Sequence, residues 1–113
     1  MALPTLSPDL SEADFRRLAK SAKEATDFLK ALSHEGRLMI LCYLADGEKS
    51  VIQLEQLLSQ RQPTVSQQLA RLRMDGLVEA RREGKMVYYQ LAGERVLQVM
   101  QVIYDQFCDT GNT

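Results

Sequence analysis

The 113-residue chain contains no tryptophan, a single histidine (His34), two cysteines (Cys42 and Cys108) and three prolines. Each scarcity excludes something. With one histidine and neither a CxxC nor a CxC pair, a single chain cannot assemble the usual four-ligand zinc site, so no metal is expected. Two thiols far apart in sequence do not make the disulfide framework of a small secreted domain. No apolar run approaches the roughly 20 residues that a membrane helix needs. The opening Met1-Ala-Leu-Pro-Thr-Leu-Ser-Pro8 lacks the basic start and apolar centre of a signal peptide, which leads to the expectation of a cytoplasmic protein without membrane contact. Catalytic groupings are missing too: there is no nucleophile beside a base, no glycine-rich phosphate loop and no carboxylate pair. Cys42 and His34 fall on one helix, but eight residues apart, about 12 Å along the axis at 1.5 Å per residue, too far for a hydrogen bond. Neither an enzyme nor a cofactor is expected.

What is present is an ordinary globular composition, 45% hydrophobic and 26% charged, in a length suited to one domain. The net charge of −1 hides an uneven distribution. Residues 61–90 carry six basic side chains (Arg61, Arg71, Arg73, Arg81, Arg82, Lys85) against three acidic ones (Asp75, Glu79, Glu83), a local +3 that leaves −4 for the remainder. Attraction to phosphate depends on local potential rather than total charge.

After a flexible arm over residues 1–10, Ser11 begins a first helix as its N-cap, with Phe15, Leu18, Ala22, Ala25, Phe28, Leu29 and Leu32 at helical spacing. Ser33 is expected to cap a second helix that ends near Gly47. Ser50 followed by Gln53 is a capping-box pattern for a short third helix, Val51 to about Leu58. A break over Ser59–Gln62 leads to Pro63, which is tolerated in a first turn, and there a fourth helix is expected to begin. Its core stripe is Val65, Leu69 and Leu72, and Gly76 ends it. Two strands, Leu77–Ala80 and Met86–Leu91, flank Arg81–Lys85 with Gly84 in the turn. A last helix runs from about Glu94 to Cys108. Val96, Met100, Ile103 and Phe107 form one stripe on it, and Leu97, Tyr104 and Cys108 a second, so it is apolar over much of its girth and calls for a partner chain. Residues 109–113 form a tail.

Short helix, break, polar-faced helix, basic hairpin: this order is that of a winged helix-turn-helix. The second helix of such a unit must present side chains that reach base edges in the major groove. Gln67 and Gln68 suit adenine edges, Gln62, Thr64 and Ser66 suit bases or phosphates, and Arg71 reaches guanine or a phosphate. Arg81, Arg82 and Lys85 on the hairpin are placed to pair with the phosphates of double-stranded DNA. A solvated glutamine-rich face with a charged loop, in a module that binds only other proteins, is the competing reading.

Three stretches taken together resemble the ArsR/SmtB family of bacterial repressors: Phe28-Leu-Lys-Ala-Leu-Ser-His-Glu-Gly-Arg-Leu-Met-Ile-Leu-Cys42, Gln62-Pro-Thr-Val-Ser-Gln-Gln-Leu-Ala-Arg-Leu-Arg-Met-Asp-Gly-Leu-Val78 and Arg82-Glu-Gly-Lys-Met-Val-Tyr-Tyr89. The resemblance covers residues 15–108. It implies a mainly α fold of five helices with a small β-hairpin wing, with domain limits 11–108, helix-turn-helix 50–76 and wing 77–91. It also implies a homodimer formed through the first and last helices, 12–31 and 94–108, on an imperfect palindrome of operator DNA. Many members sense metals, through a cysteine motif on the third helix or His/Asp pairs on the last. Here residues 50–54 hold no cysteine, and 94–108 hold no histidine and one aspartate, Asp105. Cys42 on the second helix with Cys108 at the end of the last resembles the persulfide-sensing, BigR/SqrR-type branch. That likeness implies a sensing dithiol, a reactive sulfur species as inducer, and control of sulfide-detoxification genes. General thiol or peroxide sensing, and metal sensing at another site, are the alternatives. His34 is expected to cap or pack.

Overall fold

The structure, a computed structural model, describes residues 10–59 and 62–108, and the side chains of 62, 63 and 108 lie outside what it describes. The expected arm (apart from Leu10) and tail lie outside the described residues, as do Gln60 and Arg61 of the break. The elements are α1 (Glu12–Leu32), α2 (Glu35–Ala45), β1 (Lys49–Ser50), α3 (Val51–Leu58), α4 (Gln62–Met74), β2 (Val78–Glu83), β3 (Met86–Leu91), α5 (Glu94–Ile103) and a π-helical turn, Tyr104–Cys108. Backbone proximity divides the chain into two compact units, Met1–Lys30 and Ala31–Thr113.

In the first unit Ser11 caps α1 as expected, its Oγ accepting from the Asp14 N–H at 3.1 Å. Glu12 and Asp14 complement the positive end of the helix dipole. Ion pairs Arg16–Glu12 (2.9 Å) and Lys23–Asp27 (3.3 Å) at i,i+4 support its surface.

The second unit is built around α2. Its N-cap is His34 rather than Ser33. His34 has an extended backbone (φ −132°, ψ 122°) and its Nδ1 accepts from the Gly36 N–H at 3.1 Å, the geometry a short Asn or Asp side chain gives elsewhere. Arg37 Nε donates to the Ala31 carbonyl at 2.8 Å, satisfying one acceptor at the end of α1. Ile40, Leu41 and Leu44 from α2, Leu54 and Leu58 from α3, Val65, Leu69 and Leu72 from α4, and Val96 and Met100 from α5 form the core. Tyr43 of α2 donates its hydroxyl to the Leu57 carbonyl at 3.4 Å, tying α2 to the end of α3.

The capping box on α3 is present in full: Gln53 N–H donates to Ser50 Oγ (3.1 Å) and Ser50 N–H to Gln53 Oε1 (2.7 Å). Ser59 closes α3 in the left-handed region (φ 54°), unusual for a residue with a Cβ. α4 starts at Gln62, one residue before Pro63, which keeps the proline in the first turn. At its other end Gly76 has φ +76° and donates to Arg73 O (3.0 Å), while Leu77 N–H donates to Leu72 O (2.9 Å). These are the two bonds of a Schellman motif, with buried Leu77 and Leu72 as its apolar contact.

The sheet is larger than the expected hairpin. It has three strands in the order β1-β3-β2, all antiparallel. β2 extends to Glu83, pairs Glu83 with Met86, and leaves only Gly84 (φ +62°) and Lys85 in the turn. The last helix also departs from expectation. The Tyr104 N–H is shared between the Gln101 and Met100 carbonyls, and from there the α ladder gives way to the π turn ending at Cys108. Of the expected apolar stripe Val96 and Met100 are buried, Ile103 is half-buried and Phe107 is 83% exposed.

Candidate nucleic-acid interface and cysteine site

Helix α4 is held by one face and leaves the other open. Val65, Leu69 and Leu72 are each 0% exposed. Thr64, Gln67 and Arg71, at i, i+3 and i+7, share the opposite side and are exposed. Arg71 Nε lies 2.9 Å from Asp75 Oδ2. Ser66 is half-buried at the margin, and the side chain of Gln62 lies outside the described residues. Gln68 corrects the expectation that both glutamines project outward. It lies between the two faces, is half-buried against Gly36 of α2, and its Oε1 is enclosed without a hydrogen-bond partner among the described residues.

On the wing the three basic residues differ. Arg82 and Lys85 are exposed and make no ion pair among the described residues. Arg81 is half exposed but has several partners. Its Nε and Nη2 donate to Glu48 Oε2 and Oε1, both at 2.7 Å, its Nη1 donates to Glu83 Oε2 at 2.7 Å, and its guanidinium stacks 4.7 Å from the centre of the Tyr88 ring. Register explains the grouping. Arg81 is the cross-strand partner of Tyr88, Ser50 pairs with Tyr88 from the other side, and Glu48 is two residues before Ser50, hence on the same face. The hydrogen bond from Arg81, aided by its charge, holds the Glu48 carboxyl below its ordinary value despite partial desolvation, and the two carboxylates push Arg81 up in turn. Glu48 and β1 were not legible as part of the wing. The alternation around Tyr88 was a signal, but a two-residue strand has no period of its own.

Cys42 is half-buried on α2 and lines a cavity of about 330 Å³ with Ala45, Asp46, Gln101, Tyr104 and Asp105. One wall is therefore the α2 end, and the other is the turn that closes on Cys108, whose side chain lies outside the described residues. Among the described residues no group of three or more His, Cys, Asp or Glu could hold a metal ion, and no helix is long and apolar enough to cross a membrane.

A family profile described as bacterial regulatory protein, arsR family, matches residues 34–80, from the cap of α2 into β2. The biofilm growth-associated repressor of Agrobacterium fabrum is 44% identical over 100 residues, 88% of this chain and 86% of its own length. The chain belongs to the arsR family. Its fold is shared by reduced HlyU from Vibrio cholerae, with 38% identity, a TM-score of 0.80 and coverage of 83% of this chain and 99% of that one. A Mycobacterium bovis structure described as a homodimeric winged helix-turn-helix DNA-binding domain gives a TM-score of 0.70 at 34% identity, covering 95% of this chain and 98% of that one. This arsR-family chain is thus a five-helix winged helix-turn-helix protein, related to transcriptional regulators.

Proposed function

We propose that this arsR-family protein is a cytoplasmic, homodimeric transcriptional repressor that binds an imperfect palindrome and leaves it when reactive sulfur bridges Cys42 and Cys108. The observation that carries the DNA-binding part is the division of α4: three fully buried apolar residues on one side, Thr64, Gln67 and Arg71 open on the other. Gln67 and Thr64 read bases, Arg71 reads guanine or a phosphate, Ser66 and Gln62 flank them, and Arg82 and Lys85 grip phosphate. The repressing direction is supported by the similarity to the A. fabrum repressor, and the homodimer by the M. bovis neighbour.

The sulfur part rests on the cavity that Cys42 shares with the approach to Cys108. A Cys42 thiolate attacks the outer sulfur of a persulfide RSSH, giving Cys–S–SH and releasing RSH after proton transfer. The second thiol then attacks the Cys42 sulfur, displaces the terminal sulfur as H₂S and leaves a disulfide; where a second RSSH has first converted that thiol to its own persulfide, releasing RSH, the same displacement of H₂S leaves a trisulfide. Restraining the end of the last helix against α2 alters the element packed directly on α4.

A selection of duplexes from a random pool, followed by titration at several salt concentrations, tests the first part. Sequence preference with a steep salt dependence is expected, and equal affinity for all duplexes overturns it. For the second part, the reduced protein is exposed separately to an organic persulfide, peroxide and oxidised glutathione. Mass gain and DNA release by persulfide, with Cys42→Ser and Cys108→Ser binding DNA yet no longer released, is the expected result. Release of either variant leaves the repressor and removes the dithiol.

A further inference from the structure

The wing meets the helices at several points: α4 runs into β2 through Gly76 and Leu77, β3 packs on α2, and a further, narrow joint is made by β1. β1 has two residues, and only Lys49↔Tyr89 and Ser50↔Tyr88 join it to β3. The same Ser50 is the N-cap of α3, so one of the paths from wing to helices runs through Glu48-Lys49-Ser50. Across this joint lies the Glu48–Arg81 pair, with Glu83 and the Tyr88 ring also holding the guanidinium. We propose that Glu48 is a positioning residue for DNA recognition: by clasping Arg81 it fixes the pose of the wing relative to α3 and α4, and Arg81 acts within the fold instead of on phosphate. The proposal rests on the DNA-binding reading above.

Three features of the clasp carry this. A bidentate Arg–carboxylate pair fixes orientation as well as distance, which a single point contact does not. The pair spans the sheet, from the segment before β1 to β2, over the central strand β3, so it resists sliding of the hairpin past the helices. The guanidinium, although its side chain is 49% exposed, has its hydrogen-bonding edges and one face engaged by Glu48, Glu83 and Tyr88, while Arg82 and Lys85, nearer the turn, are exposed and make no ion pair among the described residues. A phosphate approaching Arg81 would also meet the Glu83 carboxylate, which is 68% exposed.

The sign of one substitution separates this from the simpler possibilities. Glu48→Gln removes a negative charge from a DNA-binding surface, which by long-range electrostatics strengthens binding to a polyanion. If Glu48 merely withheld a phosphate ligand, the same change would release Arg81 and strengthen binding again. A positioning role alone makes Glu48→Gln weaken it. Wild type, Glu48→Gln, Arg81→Gln and the double variant are titrated as full chains against a duplex selected by the wild-type protein and against its scrambled sequence.

The expected result for Glu48→Gln is a loss of roughly three- to fivefold on the selected duplex, in the range of a well-made surface ion pair, with an unchanged salt slope. The scrambled duplex is held as well as by wild type or better, and the double variant binds no worse than Arg81→Gln. Equal or tighter binding by Glu48→Gln overturns the proposal. So does a salt slope about 0.9 units shallower for Arg81→Gln alone, the mark of a lost phosphate contact. Should Glu48→Gln fold poorly, hydrogen exchange of the free protein under native conditions decides. Faster exchange at Lys49, Ser50, Tyr88 and Tyr89, with the α4 amides unaffected, supports the clasp, and uniform acceleration opposes it. Wild-type protein that distinguishes no duplex overturns the DNA-binding reading itself, whereas wild-type preference without the Glu48 effect overturns only the clasp.

Discussion

The amide of Gln68 rests on the backbone of Gly36, where a Cβ would collide with Nε2 and stand 3.0 Å from Cδ. Its Oε1 is enclosed with no partner among the described residues, and leaving a buried acceptor unpaired costs about 1–3 kcal/mol. The side chain lies between α2 and α4, the helix that carries Cys42 and the helix that carries Gln67. Alanine is a better helix former than glycine by about 1 kcal/mol, so Gly36→Ala brings a gain in propensity against a clash. In the wild-type background the Gln68 amide, the far end of a flexible side chain, is expected to shift away and to offset part of the gain. In a Gln68→Ala background, Gly36→Ala is expected to stabilise by about 1 kcal/mol. Urea unfolding of the four proteins measures the coupling, and an equal effect of Gly36→Ala in both backgrounds shows that Gln68 is not lodged there.

Among the elements, the wing joint has a pH signature of its own. Glu48 on the β1 side is faced by Arg81 from β2, whose guanidinium also holds Glu83 and stacks on the Tyr88 ring of β3. Its folded carboxyl titrates below the ordinary value of 4.5, so its contribution to stability is complete above that value and is lost as pH falls through the lowered one. Wild type is therefore expected to lose more stability than Glu48→Gln on acidification below 4.5, with the two converging at the acid end. Denaturant midpoints taken across that range check it, and parallel curves contradict it. What made this joint invisible in the sequence is distance along the chain: Glu48 and Arg81 are 33 residues apart, and the strand between Glu48 and α3 has two residues. Elements set by local chemistry were legible. The Ser50/Gln53 box, the Val65/Leu69/Leu72 stripe and the Gly76 terminus each depend on residues within one or two turns. The cap of α2 slipped by one because the sequence offers two candidates, Ser33 and His34, and backbone geometry selects between them. The π turn before Cys108 has no compositional mark, and the pairing of the cysteines was suggested by family likeness alone.

The whole molecule poses a question of apolar surface. On the last helix Val102 is 59% exposed, Tyr104 55% and Phe107 83%, while on α1 Phe15 is 61% and Leu29 58% exposed. Two segments with large unburied apolar side chains, at opposite ends of a 113-residue chain, fit a second copy of the chain as their cover. Sedimentation at micromolar concentration is expected to find a dimer, and replacing Val102 and Phe107 together by Glu is expected to give a folded monomer. The fold should survive because both side chains already face solvent in the single chain, so the new carboxylates desolvate nothing within it. DNA binding should not survive intact. Two recognition helices on one rigid dimer act as linked sites, and separating them forfeits an avidity of about 10²–10⁴. The monomer should therefore bind a single half-site as well as it binds the full palindrome, while wild type strongly prefers the palindrome. A wild-type chain that sediments as a monomer, or a charged variant that still prefers two half-sites, removes the dimer and the palindrome with it.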